Sequence, residues 1–249
     1  MKIIISPAKK MNIDTDIFGH TDLPVFLPRT KELMNYMQSL SFAEAKKLWG
    51  CNDKIAEQNF ERYAAMNLER QLTPAIISYE GIQYQYMSPM VLSEEGLDYV
   101  QKHLRILSGF YGILKPFDGV TPYRLEMQAK ASVGGFKDLY EYWGDSLYHE
   151  LTSDGEHVIL NLASKEYSKC IEKYAAKNDL FVTCVFGEFV DDKVVQKGTL
   201  AKMARGEMVR YLAENQVNTL DGVKEFCRLG YKFSKELSSE KEYIFIKTT

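Results

Sequence analysis

Five short apolar runs constrain this chain more strongly than any other feature of its sequence. The first, residues 2–5, is almost entirely isoleucine and ends at the turn-forming pair Ser6-Pro7. An uninterrupted apolar run is typical of a strand that is buried on both faces of a sheet. Comparable runs predict strands at residues 74–79, 157–162, 180–186 and 243–247. Strands of this kind need helices packed over them.

Segments with helical spacing lie between the predicted strands. Apolar residues recur every third or fourth position in residues 138–151 and 198–215, which predicts two long helices. The 249 residues contain no internal repeat, no low-complexity tract and no Pro/Gly/Ser-rich linker. We therefore expect one compact domain over residues 1–249. Its class should be α/β (mixed α+β), with a mixed sheet flanked by helices.

Residues 42–67 are a candidate helix-hairpin-helix. The first helix should end at Gly50 and the second should begin at Asn52 or Asp53, leaving a very short link. In such motifs the free N–H groups at the start of the second helix can hold a phosphate. Asn52 stands where a second glycine is expected, and many helical hairpins bind nothing. Three lysines surround the turn: Lys46, Lys47 and Lys54.

Residues 103–127 predict a rigid loop region that carries fixed positive charge. Two glycines and two prolines lie among bulky apolar residues, and Arg105 and Arg124 flank the loops. Guanidinium groups on a stiff, partly apolar loop could form the wall of an anion site. The alternative is a structural crossover, in which the arginines pair with backbone carbonyls or with Asp118 and Glu126.

The predicted helix at residues 198–215 has one apolar face and one cationic face. By the 100° step of a helix, Lys202, Arg205, Gly206 and Arg210 lie opposite the apolar residues. Gly206 would let a phosphate or another backbone approach that face closely. A solvated polar face is the alternative interpretation.

Composition excludes several classes of function. The net charge of −3 argues against non-specific coating of nucleic acid by the whole surface, although a local basic cleft is compatible with it. The four cysteines are scattered and the four histidines lack metal-ligand spacing, so we expect no metal site. No Walker or dinucleotide glycine pattern appears, and we expect no cofactor. No apolar run is long enough to span a membrane, so we expect a cytoplasmic protein without membrane partners.

Several longer motifs resemble those of one family. They are ISPAK at residues 5–9, LRILSGFYGILKPFD at 104–118, PYRLEM at 122–127, KDLYEYWGD at 137–145, NLASKEY at 161–167 and KMARGEMVRYLAEN at 202–215. In this order and over nearly the whole chain, they resemble the YaaA family of bacterial peroxide stress proteins.

The resemblance implies a function that the residues alone do not. Proteins of this family are described as cytoplasmic DNA-binding proteins with a fold peculiar to the family, a helix-hairpin-helix and a positively charged cleft. They limit hydrogen peroxide damage, with a lowered pool of loose intracellular iron. The implied partner is double-stranded or locally opened DNA, which would be recognised by its structure and not by its base sequence. No stable protein partner is expected. The corresponding cleft cations here are Lys9, Arg105, Arg124, Lys202 and Arg205, with Arg210 from the same helix face.

An enzyme acting on a small phosphorylated or nucleotide-like ligand in the same cleft is the competing hypothesis. Three loops at the ends of apolar segments motivate it, at residues 6–10, 108–112 and 163–165. Ligands often bind at the carboxyl ends of the strands of an open sheet. However, no nucleophile–base–acid spacing is visible, and catalytic residues are not assigned.

Overall fold

Isoleucines at the start of the chain form the centre of the sheet. Ile3, Ile4 and Ile5 have no exposed surface, and their strand pairs in parallel with a strand on each side. This is the environment that the continuous apolar run predicts. The computed structural model describes residues 1–14 and 19–248, and the elements named below lie within them.

The strands are, in chain order, Lys2–Ile5 (β1), Lys10–Met11 (β2), Thr73–Pro74 (β3), Tyr79–Glu80 (β4), Leu104–Ser108 (β5), Gly112–Leu114 (β6), Gly119–Val120 (β7), Val158–Leu162 (β8), Leu180–Val190 (β9), Lys193–Val195 (β10), Tyr231–Phe233 (β11) and Glu242–Lys247 (β12). The helices are, in the same order, Leu27–Ser39 (α1), Phe42–Trp49 (α2), Asp53–Ala64 (α3), Ala75–Ser78 (α4), Ile82–Met87 (α5), Glu94–His103 (α6), Leu139–Trp143 (α7), Ser146–Leu151 (α8), Lys165–Glu172 (α9), Gly198–Glu214 (α10) and Leu220–Lys224 (α11).

The order of the main sheet creates a topological switch point. Its strands run β11-β12-β9-β8-β1-β5-β6, and β10 pairs with β9. The five strands from β12 to β5 are mutually parallel, whereas β6, β10 and β11 are antiparallel to their neighbours. From β1 the chain adds β5 on one side and then returns to add β8 on the other. In open parallel sheets, the crevice outside the carboxyl ends of two such strands is the usual ligand site.

The predicted mixed α/β fold is confirmed, because parallel and antiparallel strands form one sheet.

The strand predicted at residues 74–79 is wrong. Pro74 closes the short strand β3, residues 75–78 form the single helical turn α4, and β4 follows. The amides of Ala75 and Ile76 donate to the carbonyls of Asp118 and Pro116, both at 2.9 Å. A distant loop therefore accepts the backbone hydrogen bonds that a neighbouring strand would otherwise accept. The flanking strands β3 and β4 belong to two small two-stranded sheets.

The single helix predicted at residues 138–151 is two short helices, α7 and α8. Gly144 separates them with φ +54° and ψ −134°, a conformation that a continuous helix does not contain. The apolar spacing that suggested one helix is nevertheless real, because Leu139, Trp143, Leu147 and Leu151 are all buried. The break lets both short helices direct their apolar residues into the core.

The helical hairpin forms as its local signals predict. Ser41 and Glu44 make a reciprocal capping box at the start of α2, and Gly50 ends that helix with left-handed dihedrals of φ 55° and ψ 44°. Asn52 caps α3, and its side chain accepts a hydrogen bond from the Ile55 amide at 3.0 Å. One of the amides at the start of α3 is therefore already occupied.

A close contact between two helices fixes the position of α10. Gly206 is buried, and a Cβ atom there would lie far inside contact distance of the Gln83 carbonyl oxygen in α5 and 3.0 Å from the Met87 amide nitrogen. The glycine on the cationic face thus admits a neighbouring backbone. In the part of the chain that the structure describes, no helix has the length and apolar character needed to cross a membrane.

Candidate functional site

A cavity of about 430 Å³ lies outside the carboxyl ends of β1 and β8, at the switch point of the sheet. We call it the switch-point cavity. Ser6 follows β1, and its hydroxyl oxygen accepts a hydrogen bond from the amide of Ser164 at 2.8 Å. Ser164 follows β8 and is the N-cap of α9. Ser6 and Ser164 form the floor of the cavity. The hydroxyl of Tyr84 donates to the Ser6 carbonyl at 3.0 Å, so a hydrogen bond also connects this floor to α5.

Positive side chains from three separate segments line the switch-point cavity. Lys9 and Lys10 come from the region after β1, Arg124 from the segment after β7, and Lys202 and Arg205 from α10. The structure therefore brings together four of the six predicted cleft cations. The carboxylates that line the same cavity are Glu80, Glu126 and Glu166.

Arg205 is a desolvated cation without a matching anion. Its Nε atom is buried and has no hydrogen-bond partner, and no carboxylate forms an ion pair with it among residues 1–14 and 19–248. Burial lowers the pKa of the guanidinium, and the titratable group that opposes this shift is the thiol of Cys184. Burial raises the pKa of that thiol, so it stays neutral at physiological pH. An uncompensated buried charge is unfavourable by several kcal/mol, by the order of magnitude known for buried ions.

Arg124 shares one carboxylate with Lys9. Its Nη2 atom lies 3.2 Å from Glu126 Oε1, while Lys9 Nζ lies 2.9 Å from Glu126 Oε2. The Arg124 side chain is 12% exposed, and its Nε atom has no partner among the described residues. One negative charge facing two positive ones leaves an excess of positive charge at this wall of the cavity.

Two further carboxylates moderate this positive charge. Glu80 forms an ion pair with Lys10 at the edge of the cavity. Burial raises the pKa of Glu166, whose Oε1 atom accepts a hydrogen bond from the Gln128 amide at 3.2 Å. Sequence reasoning missed Glu166, because a single glutamate in the first turn of a helix is usually only a favourable partner of the helix dipole.

A second cavity, of about 680 Å³, continues the first toward the helical hairpin. We call it the hairpin groove. Lys9 and Glu126 line both cavities, so the two adjoin. On the hairpin side the wall is formed by Lys47, Trp49 and Gly50. The predicted hairpin and the predicted cleft are therefore neighbouring parts of one depression.

The sequence model of the family described as "Peroxide stress protein YaaA" matches residues 1–237. The chain belongs to the YaaA family of peroxide stress proteins. Among curated relatives, a UPF0246 protein of Lachnoclostridium phytofermentans is 57% identical over 247 residues, covering 99% of this chain and 96% of the relative. A UPF0246 protein of Agathobacter rectalis is 57% identical over 245 residues, covering 98% of each chain. A third, from Limosilactobacillus reuteri, is 54% identical over 246 residues and also covers 98% of each chain.

Four of the six YaaA-family motifs contribute residues to the switch-point cavity. Residues 6–9 of the ISPAK motif, residues 123–126 of PYRLEM, Ser164 of NLASKEY and both Lys202 and Arg205 of the late helical motif line it. Membership in this family supports a role in peroxide stress.

Three predicted cations of this YaaA-family chain are placed elsewhere. Arg210 lies one turn beyond Arg205 and forms an ion pair with Glu214 at 2.8 Å. Lys46 forms an ion pair with Asp53 at the hairpin. Lys54 is exposed on α3, and neither it nor Arg210 lines the two cavities.

Arg105 lies apart from the other cleft cations. It is 9% exposed, and its Nη1 atom donates to the carbonyls of Leu104 at 2.7 Å and Gln101 at 3.1 Å. Together with Asp22 and Asp118 it lines a separate cavity of about 220 Å³. The guanidinium of Arg105 thus binds backbone carbonyls at the end of α6. We therefore remove Arg105 from the set of residues proposed to contact a ligand.

Asp118 beside Arg105 predicts an unusual pH dependence of stability. Burial raises the pKa of Asp118 to about 6, although Arg105 and the Lys115 amide favour its charged form. A carboxyl with a raised folded-state pKa stabilises the fold fully below its unfolded pKa of about 4, and this contribution is lost as the pH rises through about 6. Asp118→Asn cannot titrate. Its free energy of unfolding relative to the wild type should therefore increase by about 2–3 kcal/mol between about pH 4 and pH 7.

Urea unfolding of both proteins across this pH range measures the difference. A relative stability that stays constant would show that Asp118 is ionised in the fold at about pH 4, as an ordinary surface aspartate is.

Ser108, at the start of a loop that motivated the enzyme hypothesis, is fully buried. Its hydroxyl group forms a hydrogen bond with the Tyr123 hydroxyl at 2.6 Å and accepts one from the Tyr111 amide at 2.9 Å. Its hydroxyl is occupied by structural bonds.

Proposed function

We propose that this chain binds DNA during peroxide stress, through phosphate contacts in the switch-point cavity and the hairpin groove. The observation that carries the proposal is the half-buried Arg205, which lines one cavity together with Arg124, Lys9 and Lys202. Its buried Nε atom has no hydrogen-bond partner among the described residues. A buried cation that lacks an anion in the free protein gains one when a phosphate binds.

The charge of the two adjoining cavities supports phosphate binding. Among the described residues, seven cationic side chains and four carboxylates line them, in a chain whose net charge is −3. Local positive charge on an acidic protein attracts a polyanion to one place and not to the whole surface. Phosphate contacts do not distinguish one base from another. The protein would therefore recognise the structure of the DNA, either duplex or locally opened duplex, and not its sequence.

The hairpin would act as the second point of contact. Lys47 and Gly50 line the hairpin groove, and the first turn of α3 lies beside the αL turn at Gly50. Asn52 already occupies the Ile55 amide, so fewer backbone donors remain there than in a hairpin with two glycines. We therefore assign the larger share of DNA affinity to the switch-point cavity.

A salt titration tests this proposal. Each phosphate contact on duplex DNA adds about 0.9 to the slope of log K against log salt, so roughly four contacts predict a slope of about −3 to −4. Fluorescence anisotropy of a labelled duplex, at several salt concentrations, measures it. An affinity that barely changes with salt would contradict the proposal.

An enzyme that acts on a small phosphorylated or nucleotide-like ligand is the second candidate. The switch-point cavity favours it, because its volume of about 430 Å³ lies in the range of roughly 300–1,000 Å³ typical of small-ligand pockets. Thermal-shift measurements with nucleotides and sugar phosphates test this candidate, since a ligand that binds only the folded protein raises its melting temperature. A flat response to every compound would exclude it.

We further propose that the protein acts in the cytoplasm and affects loose iron indirectly. Iron(II) prefers compact sets of His and carboxylate ligands. Within residues 1–14 and 19–248, no group of three or more His, Cys, Asp or Glu side chains is arranged to hold a metal ion. Tight stoichiometric binding of iron(II) by the purified protein would contradict an indirect effect.

A further inference from the structure

The switch-point cavity is more enclosed than contact with a duplex backbone requires. Arg124 is only 12% exposed, and the Nε atoms of Arg124 and Arg205 are both buried. The internal phosphates of an intact duplex are flanked by paired nucleotides, which a cavity of about 430 Å³ has no room for. A duplex backbone can therefore reach only the exposed lysines of the cavity, Lys9, Lys10 and Lys202. A phosphate that reaches Arg124 and Arg205 inside the cavity must carry at most about one nucleotide.

We propose that this cavity binds a phosphomonoester, the terminal phosphate of a nucleotide, such as the one at a broken or recessed DNA strand end. This inference rests on the proposed function and specifies its ligand. The rest of the strand would leave the cavity past Lys9 and continue along the hairpin groove, because Lys9 lines both.

The charge of the cavity fits a phosphomonoester better than a phosphodiester. A monoester carries about −1.5 to −2 charges at neutral pH and three acceptor oxygens, whereas a diester carries one charge. Arg205 has no counterion in the part of the chain that the structure describes, and Arg124 shares Glu126 with Lys9. Two planar guanidiniums can each donate two parallel hydrogen bonds to phosphate oxygens. A dianion would satisfy both.

The helix that begins at the floor of the cavity also favours an anion there. Ser164 is the N-cap of the eight-residue helix α9, and its side chain makes no capping bond to that helix. The positive end of the helix dipole therefore faces the cavity without a capping oxygen. Glu166 opposes an anion, and its Oε1 atom accepts the Gln128 amide. Glu166→Gln removes the charge and keeps an oxygen for that bond, so it should strengthen binding of a phosphomonoester.

Paired DNA ends provide the test. Anisotropy is measured on otherwise identical duplexes with a single-stranded overhang that ends in a phosphate or in a hydroxyl, with one such pair for the 5′ end and one for the 3′ end. In the wild type, the phosphate should lower the Kd by about tenfold or more at one of the ends, as expected for charge-assisted bonds. Arg205→Gln should bring this ratio close to one. Arg210→Ala removes the same charge from the same helix outside the cavity and should leave the ratio unchanged.

Two additional arms complete the experiment. Glu166→Gln should increase the phosphate-to-hydroxyl ratio, which keeps the inference testable if Arg205→Gln does not fold. Competition with a free deoxynucleoside monophosphate distinguishes the two sources of the ligand, since displacement at millimolar concentration identifies free nucleotides and its absence identifies strand ends. A wild-type ratio near one, with DNA still bound, would overturn this inference and leave the proposed function intact. Failure to bind any DNA or any monophosphate would overturn both.

Discussion

Replacing Gly206 by alanine should lower the free energy of unfolding by about 2 kcal/mol or more. A Cβ atom at this position would overlap the Gln83 carbonyl oxygen and lie 3.0 Å from the Met87 amide nitrogen. Both are backbone atoms of α5, which cannot rotate away as a side chain can. Overpacking in a buried contact typically costs 1–3 kcal/mol and occasionally more, and it outweighs the gain of about 1 kcal/mol in helix propensity.

Gly198→Ala is the matched control for this prediction. Gly198 begins the same helix, and a Cβ atom there would have no neighbour within 4 Å. Urea unfolding should therefore show little change for Gly198→Ala and a large loss for Gly206→Ala. Equal stability of the two variants would mean that α10 does not pack against α5 as the structure places it. Lys202 and Arg205 would then also lie in other positions.

The double variant Lys202→Ala/Arg205→Ala should weaken binding of a duplex with a phosphate-terminated overhang by about 100-fold or more at moderate salt. Each residue is expected to contribute a charge-assisted bond to a phosphate, worth about 1.5–3 kcal/mol. Losing two phosphate contacts should also reduce the magnitude of the salt slope by about 1.8. Anisotropy titrations at several salt concentrations give both quantities for the variant and the wild type.

The control for the double variant is Arg210→Ala/Lys235→Ala. It removes the same net charge from side chains outside both cavities. Its binding should therefore fall only through weak long-range electrostatics, and its slope should stay close to that of the wild type. Equal losses in the two double variants would show that net charge alone governs binding. Unchanged binding of Lys202→Ala/Arg205→Ala would remove the switch-point cavity from the DNA site.

The sequence predicted those parts of the fold whose causes are local. The end of α2 at Gly50, the start of α3 after Asn52 and the buried strand β1 each depend on a few neighbouring residues. Residues 74–79 could not be predicted in this way, because the hydrogen bonds that decide their conformation come from Pro116 and Asp118. Gly144 has the same effect on residues 138–151, since a single glycine within a helical pattern does not by itself reveal a break.

The candidate site shows the same division. Residue type marked Arg105, Arg124 and Arg205 equally as possible anion-binding groups. Only the folded chain separates them, because Arg105 donates to the carbonyls at the end of α6 while Arg205 has no anionic partner in the described residues. The role of Gly206 was also open, since a glycine that admits a phosphate and one that admits a helix have the same sequence signature. Burial and pairing are properties of tertiary structure.

The central claim is that cations from three distant segments act together on one phosphate. A crystal structure of the protein with a short oligonucleotide that ends in a phosphate tests this most directly. A terminal phosphate should lie in the switch-point cavity, with its oxygens about 3 Å from the guanidinium nitrogens of both Arg124 and Arg205. An oligonucleotide bound elsewhere, with Arg205 still lacking an anionic partner, would contradict it.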